Sequence, residues 1–181
     1  MFMWRIFLFL WIPAAGIAQD GPKPDMVSPL IATHESGIIC APPTLGISEA
    51  PDTVAGTTHL IKEEPNFVSQ KRRVPAVIGI GFGIKAQASD IFGMPDVTVT
   101  ISHPKMGKDR VKTQSFDTRI SGTDKSLAFY QFDFDYELVT GIWQLEAVRG
   151  DDLLYRTTFE VLAPNEVPEL ATICGFENLL S

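Results

Sequence analysis

The sequence predicts an all-β protein, specifically an immunoglobulin-like β-sandwich of about seven or eight antiparallel strands. From Thr58 onward, short segments alternate apolar and polar residues and are separated by glycine- and proline-containing turns. A period of two is typical of strands with one buried face, and many short strands of this kind indicate a sandwich or a barrel. Helical spacing is nearly absent, apart from a possible turn near Glu166–Ile173. We therefore expect a single sandwich domain at residues 29–163 and a C-terminal tail at 164–181.

Residues 1–18 have the pattern of a secretory signal peptide. Arg5 precedes an apolar run from Ile6 to Ile12, Pro13 breaks that run, and Gly16-Ile17-Ala18 supplies a small-x-small exit. These three parts, in this order, are typical of an export leader. An uncleaved membrane anchor is the alternative, but the run is shorter than the roughly 20 residues that span a bilayer. We expect cleavage after Ala18, which leaves residues 19–28 as a flexible tail.

Two cysteines follow this leader, Cys40 and Cys174. An exported chain folds in an oxidising compartment, so an even number of cysteines favours a disulfide bond. The bridge would span 174 − 40 = 134 residues and would tie the C-terminal tail back to the domain. Two buried free thiols are the alternative, because unpaired cysteines are common in protein cores.

The first part of the domain carries weaker strand signals than the rest. Gly37–Cys40 is the apolar end of a first strand. Ala41–Thr57 contains three prolines and is expected to be a long surface loop. Short strands are expected at Thr58–Lys62 and Asn66–Gln70.

Glycine alternates with apolar residues in the next strand. The alternating residues are Ile78, Gly79, Ile80, Gly81, Phe82, Gly83 and Ile84. The apolar side chains share one face, and the other face has no side chains, so another segment can approach the backbone closely. We therefore treat Gly79, Gly81 and Gly83 as a candidate interaction face.

Two further strands flank a basic turn. Asp96–Ser102 alternates β-branched and polar residues, as a half-buried strand does, and His103-Pro104 is expected to end it. Met106–Arg110 is the basic turn, and Val111–Ile120 is the second strand. Ser121–Asp124 has the composition of a turn.

The strongest strand pattern lies near the C-terminus. Aromatic and apolar residues alternate with polar ones from Tyr130 to Leu138, and again on both sides of the turn Arg149–Asp152. The second pattern predicts a hairpin that ends at Val161. Large aromatic side chains contribute most to the space between two sheets. The predicted structural core contains Phe132, Phe134, Tyr136, Trp143 and Phe159.

The overall composition excludes two classes of partner. The chain has 181 residues, 45% of them hydrophobic, with 15 Lys+Arg against 22 Asp+Glu and a formal net charge of −7. Nucleic acids and anionic membrane surfaces require clustered positive charge, so neither is expected as the main partner. No membrane span is expected once the leader is removed.

No catalytic, cofactor-binding or metal-binding motif is recognisable, and we assign no residue to these roles. His34, His59 and His103 lack the spacing of metal-binding histidine pairs, although zinc held by His34, Glu35 and Cys40 stays open. Gly79–Ile84 lacks both the third glycine and the helix of a dinucleotide-binding loop. The carboxylates of Asp133, Asp135 and Glu137 would lie about 7 Å apart on a solvated strand face, too far apart for one calcium ion.

Five segments form a recognisable series: Val74-Pro75-Ala76, Gly81-Phe82-Gly83, Asp96–Pro104, Phe134–Trp143 and Phe159-Glu160-Val161. From roughly Gly37 to Val161, the chain resembles a bacterial family catalogued as domain of unknown function 3859 (DUF3859). Its most specific part is the run Glu-Leu-Val-x-Gly-x-Trp that ends at Trp143. The resemblance implies an exported protein of a Gram-negative bacterium, hence periplasmic, with one β-rich domain. It implies no activity.

Two functional hypotheses follow. The first is a non-catalytic module that binds a protein, a peptide or an envelope component through the glycine face, an exposed sheet edge or the 41–57 loop. The second is a hydrolase or metal-dependent enzyme whose site is built from loops. We favour the first, because the sequence shows no catalytic constellation and a fold does not carry an activity by itself.

Overall fold

The computed structural model describes residues 22–40, 44–49, 51–61 and 64–180. The predicted leader at 1–18 lies outside the described residues, as do residues 19–21 of the predicted tail. The strands are β1 (Met26–Val27), β2 (Ile31–Ile39), β3 (Thr44–Glu49), β4 (Thr57–Ile61), β5 (Arg73–Pro75), β6 (Gly81–Ala88), β7 (Met94–Met106), β8 (Val111–Ile120), β9 (Ser126–Gln131), β10 (Gly141–Arg149) and β11 (Asp152–Leu162). Short 3-10 turns and one helical turn, α1 (Ala171–Cys174), complete the described elements.

The strands form two main sheets and one separate hairpin. The larger sheet has the order β1-β11-β10-β7-β8, and β5 also pairs with β11. The smaller sheet has the order β2-β6-β9, and β3 pairs with β4. Neighbouring strands are antiparallel, except that β5 runs parallel to β11. The predicted all-β, immunoglobulin-like sandwich is confirmed, with more strands than the seven or eight expected.

Aromatic side chains fill the space between the two sheets. Phe82 of β6 is fully buried, and its ring centroid lies 5.7, 5.6 and 5.0 Å from those of Phe132, Trp143 and Phe159. The predicted hairpin β10–β11 places Trp143 opposite Phe159. Offset and edge-on aromatic contacts of this kind add to the free energy gained from burying the rings.

Two residues assigned to the core from the sequence, Phe134 and Tyr136, are instead 46% and 39% exposed. Their rings stack on each other, with centroids 5.3 Å apart. Strand β9 ends at Gln131, and the chain then forms a 3-10 turn at Asp135–Glu137. Glu137 is buried, so its expected place on a solvated face is also wrong. The alternating pattern fails here because the Glu137 carboxylate binds the backbone and stabilises a turn.

The face without side chains at Gly81 and Gly83 is covered by the chain itself. A Cβ on Gly83 would lie 2.6 Å from Phe129 Cα and closer still to the Ala128 carbonyl oxygen. Gly79 has a φ of 84° and donates its N–H to the carbonyl oxygen of Phe132. The close approach expected from glycine therefore occurs, but the approaching segment is β9 and its continuation. The expectation of an interaction face for a partner is wrong here.

Two expected chain breaks are strands in the structure. The loop expected at Ala41–Thr57 contains β3, which pairs with β4 despite the prolines around it. Strand β7 continues through His103-Pro104 to Met106, with a register shift against β8 between Ser102 and Met106. Such a shift accommodates a proline, which cannot donate a hydrogen bond to the ladder.

The outer edge of β11 is closed along most of its length. β1 pairs with Tyr155–Arg156, and β5 pairs with Glu160–Leu162. Between them, the N–H of Thr158 donates to Asp25 Oδ1 at 2.9 Å, and Arg72 forms an ion pair with Asp25. The described end of the predicted flexible tail is therefore held on the sheet.

The C-terminal segment packs against the sandwich. Val167, Leu170 and Phe176 are buried. Cys40, just after β2, forms a disulfide with Cys174, and their Cα atoms lie 5.2 Å apart. The predicted bridge is thus present, and it ties the segment back to the domain as expected. Residues 164–180 consist of short turns and α1 rather than a further strand.

Candidate binding cleft

A cleft of about 500 Å³ lies at the side of the sandwich where the edge strands β8 and β9 belong to different sheets. Strands β8 and β9 form two walls of the cleft, and the β3–β4 hairpin, with the segment that joins its strands, forms the third. The lining residues are Ser48, Glu49, Pro51, Asp52, Thr53, Ala55, Thr57, Ile101, Gln114, Ser115, Phe116, Asp117, Phe129, Tyr130, Gln131, Asp133 and Glu137. This size is typical of small-molecule binding sites.

Gln114, which is buried in β8, attaches the hairpin segment to the larger sheet. Its Oε1 accepts the N–H of Val54 at 2.6 Å, and its Nε2 lies 3.1 Å from His103 Nε2. The His103 Nδ1–H donates to the carbonyl oxygen of Pro104 at 2.8 Å, because a carbonyl can only accept. His103 Nε2 is then the acceptor for Gln114. Burial lowers the pKa of His103, which favours this neutral form.

Glu137 attaches the 3-10 turn to β9 through both carboxylate oxygens. Oε1 accepts the hydroxyl of Tyr130 at 2.8 Å, and Oε2 accepts the N–H groups of Asp133 at 2.6 Å and Phe134 at 3.0 Å. Burial raises the pKa of Glu137, and burial together with the Glu137 charge raises the pKa of Tyr130. The three hydrogen bonds that hold the turn oppose this rise in the pKa of Glu137, so burial is its cause.

The cleft lining is acidic. Glu49, Asp52, Asp117, Asp133 and Glu137 contribute carboxyl groups, and no lysine or arginine is among the described lining residues. The exposed, stacked pair Phe134 and Tyr136 belongs to the turn beside Asp133 and Glu137. Acidic side chains next to exposed aromatic faces form surroundings that attract cations.

The residues considered for zinc do not meet in this cleft. Cys40 is oxidised in the disulfide, so its sulfur is not a thiolate ligand. His34 Nε2 lies 3.0 Å from Thr157 Oγ1, and burial lowers the pKa of His34. The side chain of His59 lies outside the described part. In the ranges that the structure describes, no group of three or more His, Cys, Asp or Glu residues is arranged to hold a metal ion.

The sequence contained one signal for this site. The run Glu-Leu-Val-x-Gly-x-Trp begins at Glu137, which holds the turn, and ends at Trp143, whose Nε1–H donates to the carbonyl oxygen of Val139 at 3.1 Å. It therefore encodes the return of the chain from the cleft wall into β10. Gln114 and strand β3 carried no local signal, whereas β4 corresponds to the short strand expected at Thr58–Lys62. Among the described residues, no helix has the length and apolar character needed to cross a bilayer.

The fold and the cleft together define an immunoglobulin-like β-sandwich domain. A crystal structure of an immunoglobulin-like protein from Pseudomonas aeruginosa is similar to this chain, with a TM-score of 0.51 and 21% sequence identity over 77% of this chain and 98% of that one. No curated protein matches the sequence. The profile of the family described as "Domain of unknown function (DUF3859)" matches residues 28–161. The chain belongs to this family, as the resemblance predicted.

Proposed function

We propose that this protein is an exported, periplasmic binding module that holds its ligand in the cleft between β8 and β9. The observation that carries the proposal is the placement of the cleft. It lies where the two sheets separate, and a hairpin that contributes little to the core forms its outer wall. Leu45 and Ile47 of that hairpin are exposed, so the hairpin adds little apolar burial to the fold. Extra structure of this kind next to a concave surface is typical of binding sites.

The bonding within the cleft favours binding over catalysis. The polar groups with perturbed pKa values, Glu137, Tyr130 and the nearby His103, are hydrogen-bonded to other parts of the chain. A general acid or base needs a free path to a reacting atom. A preformed polar wall, in contrast, suits the recognition of a ligand.

Two observations support export. The sequence begins with a leader pattern, and the disulfide is of the kind that persists in oxidising compartments. The test is cell fractionation of the native host, followed by mass spectrometry of the purified chain. We expect a periplasmic protein that begins at Gln19. A cytosolic chain that retains residues 1–18 would contradict export.

Binding in the cleft can be tested with a matched pair of substitutions. Ala55 lines the cleft, whereas Ala32 is exposed on β2, so Ala55→Phe obstructs the cleft and Ala32→Phe adds the same side chain elsewhere. Panels of peptides, glycans and metal ions are screened by thermal shift and by the fluorescence of Trp143, the one tryptophan outside the predicted leader. We expect at least one ligand that binds the wild type and Ala32→Phe but not Ala55→Phe. Equal binding by all three proteins, or none across the panels, would refute the proposed site.

A further inference from the structure

We propose that the cleft binds an extended, positively charged peptide segment, which pairs as an additional strand with β9. This inference rests on the proposed function, because it names the ligand of the same cleft. It is carried by three features: the edge of β9 that is unpaired among the described strands, the shape of the cleft beside that edge, and the charge of the cleft lining.

In the described part of the chain, β9 forms ladder hydrogen bonds on one side only. Phe132 N–H donates to the carbonyl oxygen of Ile80 at 3.0 Å, at the continuation of the β6–β9 ladder. In an antiparallel ladder, every second residue directs both backbone groups to the neighbouring strand. Counting back from Phe132, the residues that direct their N–H and C=O away from β6 are Leu127, Phe129 and Gln131. Among the described strands, β9 pairs with β6 alone.

This free edge faces the cleft. Phe129 and Gln131 are lining residues. The opposite edge, β8, is already occupied at one point, because Ser115 N–H donates to the carbonyl oxygen of Asp52 at 3.3 Å. A ligand in the cleft therefore meets, on the β9 side, the backbone N–H and C=O groups that point away from β6. Addition of a peptide strand to such an edge is a common mode of recognition.

The cleft suits a single extended peptide rather than the edge strand of another folded sheet. The β3–β4 hairpin segment forms a wall on the outer side, so a partner sheet would collide with it before it reached β9. Residues 129–131 line the cleft, and the edge of β9 continues beyond them to Leu127. From Leu127 to Gln131 the strand rises about 14 Å, which is enough to pair with about five residues of a peptide. The side chain of Gln131 offers a further contact, since its Oε1 is buried and accepts no hydrogen bond from the described residues.

The charge of the lining selects a basic peptide. Glu49 and Asp117 are exposed carboxylates on two different walls, and the described lining has no positive side chain to neutralise them. Phe134 and Tyr136 offer aromatic faces beside the acidic turn, where a lysine or arginine side chain can stack. The basic turn Met106–Arg110 contributes no residue to the described lining, although Gly107 lies near Val54 and Tyr136.

The first experiment varies the peptide and leaves the protein unchanged. The probe is a synthetic heptapeptide of alternating lysine and valine, titrated into the protein as its host matures it, with Trp143 fluorescence and calorimetry as readouts. The same peptide with N-methyl groups on alternate residues keeps the charge and removes backbone donors. A glutamate–valine peptide keeps the backbone and reverses the charge. We expect binding of the first peptide, and at least tenfold weaker binding of the other two.

The second experiment varies the protein with a matched control. The double substitution Glu49→Gln and Asp117→Asn removes two charges from the cleft, and Asp151→Asn with Asp152→Asn removes two from the exposed β10–β11 turn. Each exposed ion pair contributes modestly, so the loss of two is expected to raise the Kd roughly tenfold at low salt. The control is expected to leave the Kd unchanged. Heteronuclear NMR spectra verify that both variants are folded.

The outcomes separate this inference from the proposed function. Equal affinity for the plain and N-methylated peptides would overturn strand addition, and equal affinity of the two double variants would overturn the charge argument. Failure of the lysine–valine peptide, together with another ligand that is excluded by Ala55→Phe, would refute a basic peptide while the binding cleft stands. If no ligand in any panel distinguishes Ala55→Phe from Ala32→Phe, both proposals fail.

Discussion

Removal of the Cys40–Cys174 disulfide is expected to lower the free energy of unfolding by up to about 5 kcal/mol. The bridge closes a loop with a sequence separation of 134. In the chain-entropy model, a loop of this length restricts the unfolded chain by about 17 cal/mol/K, which corresponds to about 5 kcal/mol at 25 °C. The folded state loses little else, because buried Val167, Leu170 and Phe176 still hold the C-terminal segment.

The assay is equilibrium unfolding in urea, followed by Trp143 fluorescence, for the wild type and the double variant Cys40→Ser/Cys174→Ser. With a slope of roughly 2 kcal/mol/M, the expected loss lowers the midpoint by up to about 2.5 M. The slope should rise slightly for the variant, since its unfolded chain is less compact. Reduced wild-type protein serves as the control and should match the variant.

Two results would refute this reasoning. If the urea midpoint of the variant is lower than that of the wild type by less than about 0.5 M, the loop closure does not restrict the unfolded chain appreciably. Protease cleavage within residues 164–180 of the variant, at urea concentrations where Trp143 still reports a folded core, would mean that the bridge acts only as a local clamp. The entropic magnitude would then be wrong.

Three further substitutions test the core, the close approach of strands and the buried carboxylate. Phe82→Ala should lower the free energy of unfolding by about 3–5 kcal/mol in urea titrations, and the exposed Phe134→Ala by under about 1 kcal/mol; similar losses would contradict the assignment of the core. Gly83→Ala should cost at least about 2 kcal/mol, because its new methyl group overlaps the Ala128 carbonyl oxygen, and an unchanged thermal midpoint would contradict this. Since burial raises the pKa of Glu137 above its usual 4.5, the folded chain binds this proton more tightly than the unfolded chain does, and wild-type stability should fall relative to Glu137→Gln as the pH rises through that raised pKa. A difference in unfolding free energy between these two proteins that is independent of pH would contradict the assignment.

The sequence predicts the sandwich well where local pattern and tertiary structure agree. In β10–β11, alternation, a glycine turn and facing aromatic residues all specify the same hairpin. The pattern fails at Phe134 and Tyr136, where alternation continues past the end of β9. Periodicity reports which residues would share a face of a strand, but it contains no information about a carboxylate, such as that of Glu137, that binds the backbone and ends the strand.

The cleft could be predicted only in part. From the sequence, an exposed sheet edge was one of the surfaces expected to contact a partner. The edge of β9 is such an edge, but the sequence could not identify which strand would provide it. That choice depends on long-range pairing: β11 is covered by β1 and β5, whereas among the described strands β9 pairs with β6 alone. A short strand is expected from the sequence near β4, but β3 falls in the expected loop, because prolines flank it and its apolar side chains Leu45 and Ile47 face solvent, so no buried face gives a period.

The closed flank of the larger sheet has a practical consequence for handling this protein. The segment around Asp25 covers part of β11, so a truncation that begins at Ser28 would expose the backbone groups of this strand between Tyr155 and Thr158. Molecules shortened in this way would associate strand against strand and form aggregates, although every residue of the core would still be present. We therefore expect the few residues before Ser28 to limit association between copies of the domain, and recombinant versions should retain them.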